Sequence, residues 1–414
     1  MALKQLTAVA ALNEAAGKVI EASVCEAQGT YLALVETEAG KRLAWAAQGE
    51  SALSKLWKDV EKEADVKDVH VAVMALNANN AALVRRLVKW AAPTACGTKG
   101  ASVGFSDWLG AADAVVTDLF AKRQLKPVLV DFTPEDSAAI GRNFLEAVDT
   151  ATWGVLEKGY KEGYGANAAG LKSEEEIVKA LLYGYSMIGF DCSDKIDLSI
   201  EKLSDEAVEK RFEQFNETFR AALYASYLNA EFKVGTNKLT FTENQLHRIV
   251  LEYGEAIMHV QFIYNSYLKN TPWDIDFELD LSKPGKVLTP QEHYLIGNEL
   301  QRNGIKLAAI CLDPLKDAEA LQENLQLHCE IADTFGYRLS FANADIAMTD
   351  TAAAMKYLKG KAHFKMNNIL WMSAVKLLQA LDADLFGKLC AVCGCESVEG
   401  AVCGRPTRQR GYAT

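Results

Sequence analysis

The residues of this chain best suited to chemistry are aspartates, asparagines and lysines that stand just after short apolar runs. In order they are Asp107, Thr133, Asn167, Asp191 with Ser193, Asp194 and Lys195, Asp280 with Ser282 and Lys283, Asp313, Asn343 with Asp345, and Lys365 with Asn367. Carboxylates and amides of this kind can hold a polyhydroxylated ligand, and a desolvated lysine can anchor a carboxylate or act as a base. Histidine contributes little: of six, His247, His259, His293 and His328 fall in predicted helices and His70 lies near the N-terminus. Only His363 joins the set, two residues before Lys365 and so on the same strand face. The run Asp191 to Asp197 (Asp-Cys-Ser-Asp-Lys-Ile-Asp) suits a substrate clamp and a helix cap equally. Lys365 suits an interior ion pair as well as it suits a functional role.

An alternation of strands and helices must position these groups. From about residue 96 the apolar runs predict strands at Ala101–Phe105, Pro127–Phe132, Gly163–Ala166, Met187–Asp191, Asp276–Leu281, Lys306–Leu312, Arg338–Phe341 and Ala362–Phe364. Helical patterns lie between them at Pro134–Gly159, Ser173–Tyr185, Pro290–Asn303, Asp317–Phe335 and Asp350–Lys359. Start signals mark three of these: Thr133-Pro134-Glu135, Lys172-Ser173-Glu174 and Thr289-Pro290-Gln291-Glu292 supply a hydroxyl cap, a first-turn proline or early acids. Eight strands alternating with helices is the count that closes a (β/α)8 barrel, an α/β fold whose functional groups gather where the strand-to-helix loops converge. An open doubly wound sheet is the alternative.

Three additions surround the barrel segment at 96–389. Residues 1–95 read as a small α/β unit, with strands at Val19–Val24, Thr30–Glu36, Leu43–Ala46 and Val66–Ala75 and helices at Ser51–Ala64 and Ala81–Trp90. An insertion of about 198–273 follows the fourth strand and carries a long helix, Asn244–Lys269, whose apolar stripe suits packing on the barrel. Residues 390–414 form a tail with Cys390, Cys393, Cys395 and Cys403. Thiolates so spaced can share a zinc ion, although the second interval is tight for paired knuckles and free thiols suit it better.

Composition removes several functions. The net charge of −11 and pI near 5.2 argue against a nucleic-acid binder. No apolar run is long enough to span a membrane, and the N-terminal residues lack the pattern of a signal peptide. Nine scattered cysteines suggest reduced thiols, so a cytoplasmic location is expected. Nucleotide-binding glycine motifs, a phosphate loop, His-Glu-x-x-His and Gly-x-Ser-x-Gly are all missing.

Several segments, in order between about residues 100 and 385, resemble the tagaturonate/fructuronate epimerase family. They include Thr152-Trp153-Gly154, Gly159-Tyr160-Lys161-Glu162-Gly163-Tyr164-Gly165-Ala166, Leu171-Lys172-Ser173-Glu174 and Phe277-Glu278-Leu279. Thr289-Pro290-Gln291-Glu292-His293-Tyr294, Asn298-Glu299-Leu300, Leu327-His328, Phe335-Gly336-Tyr337-Arg338-Leu339-Ser340 and His363-Phe364-Lys365 continue the series. The resemblance implies a barrel enzyme that interconverts two keto-hexonates with a divalent metal. It also exposes departures. Where the family pattern has Arg after strand one, this chain has Trp108; where it has Asp-x-Asp-His after strand three, Asn167-Ala168-Ala169-Gly170 stand. Ser193-Asp194-Lys195 replaces Ser-Glu-His, Leu281-Ser282-Lys283-Pro284 replaces Val-Asp-Glu-Thr, and Lys365-Met366-Asn367-Asn368 replaces Lys-Thr-Ala-Gly. After strand seven, Phe341-Ala342-Asn343-Ala344-Asp345 stands in place of a segment with a His and a Lys.

Three readings follow. As an epimerase of weakened or lost catalysis, the chain would use Lys195, Lys283 or Lys365 as base or carboxylate anchor, with Asp191 beside them. Asp107, Asn343, His363 and Asn367 would bind substrate, and the expected metal would lack its ligands. As a degenerate barrel, it would bind a sugar acid or a protein without turnover. As a third kind, it would run lysine-based chemistry without a metal. Oligomerisation is left open.

Overall fold

The computed structural model describes residues 3–49, 51–121, 123, 125–281, 287–313, 318–344, 356–366 and 368–393. Eight parallel strands close the barrel: β1 (Ser102–Phe105), β2 (Lys126–Phe132), β3 (Gly165–Leu171), β4 (Met187–Asp191), β5 (Asp276–Asp280), β6 (Ala309–Leu312), β7 (Arg338–Phe341) and β8 (Ala362–Met366). Each pairs with its neighbours in sequence, and β8 returns to β1. Two predicted strands match residue for residue, β4 and β7. The third is displaced: Gly163–Ala166 was expected, but β3 begins at Gly165 and runs to Leu171, so Asn167 lies within it. Its small residues (Gly-Ala-Asn-Ala-Ala-Gly) lack the β-branched signature of a strand.

Outward-facing strand residues such as Phe132, Ile188, Phe277, Ile310 and Phe341 pack beneath the surrounding helices in one apolar cluster. The helices begin where the caps say they should. Thr133, Ser173 and Thr289 each accept from the backbone three residues on, and the acid there bonds back. The expected single helix Pro134–Gly159 is two, Pro134–Ile140 and Phe144–Lys158. Gly141 turns left-handed (φ +68°) and Asn143 opens the second helix with its own capping box. The insertion after β4 contributes the long helix Glu243–Ile263, extended by a π turn to Leu268. Among the described residues no helix is long and apolar enough to cross a membrane.

Strands between Lys18 and Met74 build a six-stranded antiparallel sheet, covered by helix Gln5–Ala15 on one face and helix Ala78–Leu87 on the other. Here the expected helix Ser51–Ala64 is overturned. Its second half is an edge strand, Val60–Val66, paired with Val69–Met74 through a turn at Lys67. Exposed Glu61, Lys62 and Glu63 suit an edge that must not pair further. Arg85 fixes this unit to the barrel by donating to Asp149 (2.7 Å) and Thr152 (2.9 Å). The last described helix runs Ala383–Cys393 and includes Cys390 and Cys393; Cys395 and Cys403 lie outside the described residues.

Gly154 lets two barrel helices touch. A Cβ there would lie 2.7 Å from Asp113 Cβ and 2.9 Å from the Ala114 nitrogen. Alanine normally gains about 1 kcal/mol over glycine inside a helix, but overpacking against backbone costs about 1–3 kcal/mol. Gly154→Ala should therefore lower the midpoint of chemical denaturation, and an unchanged or raised midpoint would refute the close packing.

Candidate active site in the barrel centre and mouth

Alternate strand residues point into the barrel, where branched apolar side chains usually fill the space. This interior is polar instead. The ammonium of Lys365 on β8 donates to Glu278 of β5, and both side chains are buried. Asp131 of β2 accepts from Asn167 Nδ2 at 3.1 Å. His363, two residues before Lys365, bonds Ser102 Oγ through Nδ1 (2.9 Å) and leaves Nε2 4.0 Å from Asp131 Oδ2.

Local backbone features bring these groups together. The ladder between β2 and β3 slips between Val128 and Val130, so Leu129 and Val130 both enter the helix-facing cluster. The slip turns Asp131 inward, directly opposite Asn167. Glycines make room. A Cβ on Gly104 would lie 2.5 Å from Asp131 Oδ2, and one on Gly189 would lie 3.2 Å from Glu278 Oε1.

Burial acts on every charge here. For Lys365 it favours the neutral amine, but Cys311, Glu278 and Asp131 outweigh it and hold the ammonium well above its ordinary range. Burial raises Asp131 to about 6, helped by Glu278 and opposed by Lys365. His363 is pushed well down by burial and then by Arg338 and Lys365, and is neutral.

At the C-terminal mouth, Asp191 ends β4 beside Asp280, which ends β5. Lys172, just beyond β3, places Nζ 3.4 Å from Asp191 Oδ2 and donates to Ser193 Oγ at 3.3 Å. Burial and then Asp280 raise the Asp191 carboxyl, so it holds its proton to higher pH than an ordinary aspartate. Next around the rim, Asn343 donates to Asp313 at 3.2 Å.

The expected site residues separate under this geometry. Lys365 and His363 do share the interior, and Asp191 and Asn343 stand at the mouth. Lys365, expected as a base or a carboxylate anchor, has its ammonium bound to Glu278, which favours its charged form. Lys195 also departs from expectation: its Nζ pairs at 3.2 Å with Glu255 on the insertion helix, and Lys172 takes the place beside Asp191. Asp107 serves its own loop, accepting from Gly110 (3.0 Å) and Ala112 (2.7 Å). Lys283 and Asn367 lie outside the described residues.

Residues that sequence reasoning did not select are Asp131, Glu278 and Lys172. Only Glu278 carried a signal, its two-residue spacing from Asp276 and Asp280 on one strand face. His293 and His328 form a separate buried structural pair. Their Nδ1 atoms lie 2.9 Å apart, and Tyr337 meets His293 Nε2 at 2.9 Å.

A family model described as tagaturonate epimerase matches residues 20–401. The chain belongs to this family. A tagaturonate/fructuronate epimerase of Thermotoga maritima is 27% identical over 383 residues, 90% of this chain and 78% of the relative. The glycerol-complexed crystal structure of fructuronate-tagaturonate epimerase from Cohnella laeviribosi superposes with a TM-score of 0.81 at 27% identity, covering 91% of this chain and 77% of that one. Its native form gives 0.82 at 26% identity, covering 94% and 80%.

The divalent metal that the resemblance implies finds no fitting donor set among the described residues. Among those residues, no group of three or more His, Cys, Asp and Glu is placed to hold an ion. Asp191 and Asp280 are two carboxylates, and the cation beside them is already Lys172.

The raised Asp131 carboxyl has a consequence for stability. The folded chain binds this proton below about pH 6, whereas an unfolded aspartate releases it near 4. Stability from this group is therefore present below pH 4 and falls as pH rises from 4 through 6. Asp131→Asn removes the loss. Its unfolding free energy relative to the parent should improve by roughly 2–3 kcal/mol between pH 4 and pH 7, at 1.36 kcal/mol per pKa unit. A difference that does not change with pH would contradict the buried, proton-holding aspartate.

Proposed function

We propose that this family member binds a keto-hexonate of the tagaturonate/fructuronate class at its barrel mouth and epimerises it with much weakened turnover. The observation that carries this reading is the arrangement Lys172–Asp191–Asp280 at adjoining strand ends. A half-exposed ammonium suits a sugar-acid carboxylate, and the paired carboxylates suit its hydroxyls.

Inverting a centre of a keto sugar acid through an enolate needs a proton acceptor, a proton donor and stabilisation of the developing negative charge. Asp191, with its raised carboxyl, supplies one proton-transfer group. Positioned acid–base groups contribute about 10²–10⁴-fold. A Lewis-acid metal contributes several kcal/mol more, and each 1.36 kcal/mol is tenfold in rate. Lys172 is a point charge with much of its surface in water, so it offsets little of that. Lys365, held by Glu278, does not serve as the base. Binding with slow turnover is the balance these groups favour.

The test is calorimetric titration with tagaturonate, with conversion followed by NMR alongside the Thermotoga maritima enzyme. Saturable binding with conversion at least about 10²-fold slower than that enzyme is expected. Lys172→Ala should weaken binding roughly tenfold, the scale of one charge-assisted hydrogen bond. Conversion at the relative's rate would overturn the weakened-turnover reading. Absence of binding would overturn the sugar-acid reading and leave a protein-interaction role as the better account.

A further inference from the structure

Five buried polar atoms in the barrel interior have no hydrogen-bond partner among the described residues: Asp131 Oδ2, Asn167 Oδ1, Glu278 Oε2, Ser340 Oγ and His363 Nε2. None of these residues exposes more than 2% of its surface. Each unsatisfied atom costs about 1–3 kcal/mol, so five in one space make a dry interior improbable. Ordered water, making about three hydrogen bonds, ordinarily takes such places. The backbone ties the five together: Asp131 stands opposite Asn167, and Ser340 stands opposite His363. Asn167 and Glu278 both approach Gly189.

One gap has definite dimensions. Asp131 Oδ2 and His363 Nε2 face each other at 4.0 Å. That is too far for a direct hydrogen bond, but a single water making two bonds of about 2.8 Å spans about 4–4.5 Å. Gly104 on β1 makes room for Asp131 Oδ2 itself, since a Cβ there would lie 2.5 Å from it. We propose that this gap binds one ordered water, and that Asp131, the water and His363 form a proton relay through the barrel centre.

The atoms balance as follows. With Asp131 protonated, its O–H donates to the water, the water donates to Nε2, and Nδ1–H donates to Ser102 Oγ. On transfer the Asp131 O–H bond breaks, the water takes that proton and passes one of its own to Nε2. A carboxylate, an unchanged water and an imidazolium result. The groups facing the couple decide where the proton rests. Arg338 from β7 and Lys365 from β8 disfavour the imidazolium, while Glu278 from β5 and Asp136 from the helix after β2 favour a protonated Asp131. Lys365 also favours the ionised Asp131, and Asn167 from β3, which donates to the carboxylate, acts in the same sense. Between the two groups the proton therefore sits on Asp131 below about pH 6, and its release above that leaves a charge beside the fixed Lys365 cation. The relay is independent of what the mouth binds.

The full chain, labelled with ¹⁵N-histidine, tests this by NMR between pH 5 and 8, with His363→Gln for assignment. His363 should remain neutral while its Nε2 resonance shifts with a midpoint near 6, the Asp131 titration. The shift should vanish in Asp131→Asn. A crystal structure of the parent protein should place a water within hydrogen-bond distance of both atoms, which keeps the test independent of either variant's folding. An Nε2 resonance that ignores pH, an identical response in Asp131→Asn, or a direct Asp131–His363 bond without water would each overturn the relay.

Discussion

Lys365 reaches the centre of the barrel as a buried cation, and its ion pair with Glu278 sets what every side chain around it can be. Two charges removed from water each lose several kcal/mol of hydration, which their mutual attraction returns only when the geometry is good. Removing one partner strands the other at a cost of about 3–5 kcal/mol. The neighbourhood is built accordingly. Gly189 gives Glu278 its space, Gly104 gives Asp131 its space, and Asn167 donates to Asp131 so that a second carboxyl can stand near the first. Below about pH 6, where Asp131 holds its proton, the cations Lys365 and Arg338 face the two carboxylates Glu278 and Asp276, and the interior is close to neutral.

That arrangement separates the barrel into two regions of different character. The centre is closed, charge-balanced and shielded, while the mouth is half-exposed and presents Lys172, Asp191 and Asp280 to whatever enters. The framework of the tagaturonate epimerase family spans both, as the superposition with the Cohnella laeviribosi enzyme over 91% of the chain makes plain. Within that framework the described residues of the mouth include the carboxylates of Asp191 and Asp280 and the ammonium of Lys172. The long insertion helix adds a wall: a cleft of about 470 Å³ lined by Arg248, Glu252 and Glu292 lies between it and the helix after β5.

Much of the barrel was legible because its signals are local. A hydroxyl cap followed by an acid three residues later marks a helix start wherever it occurs, and Thr133, Ser173 and Thr289 all do so. The apolar runs of β4 and β7 were equally plain. The site was less legible, since its assembly depends on register. Asp131 faces inward only because the ladder slips near Val128, which no spacing in β2 announces. Lys195 has the right residue type at the right strand end, yet Glu255 on a helix 60 residues later draws it aside. Lys172 sat unremarked inside a helix-start motif, although the strand it follows delivers it to Asp191. Val60–Ala64 reads as the end of a helix because Leu53, Leu56 and Val60 fit that period, and its partner strand is found only by folding.

The claim on which the rest hangs is that Lys365 is a permanent cation, and its side-chain nitrogen can be observed directly. In the full chain carrying ¹⁵N-lysine, with Lys365→Met to assign the resonance, the Lys365 Nζ signal should keep the chemical shift of an ammonium up to at least pH 10. A signal that becomes that of a neutral amine at or below pH 8 would contradict the account, and would restore Lys365 as a base or as the nucleophile of lysine-based chemistry.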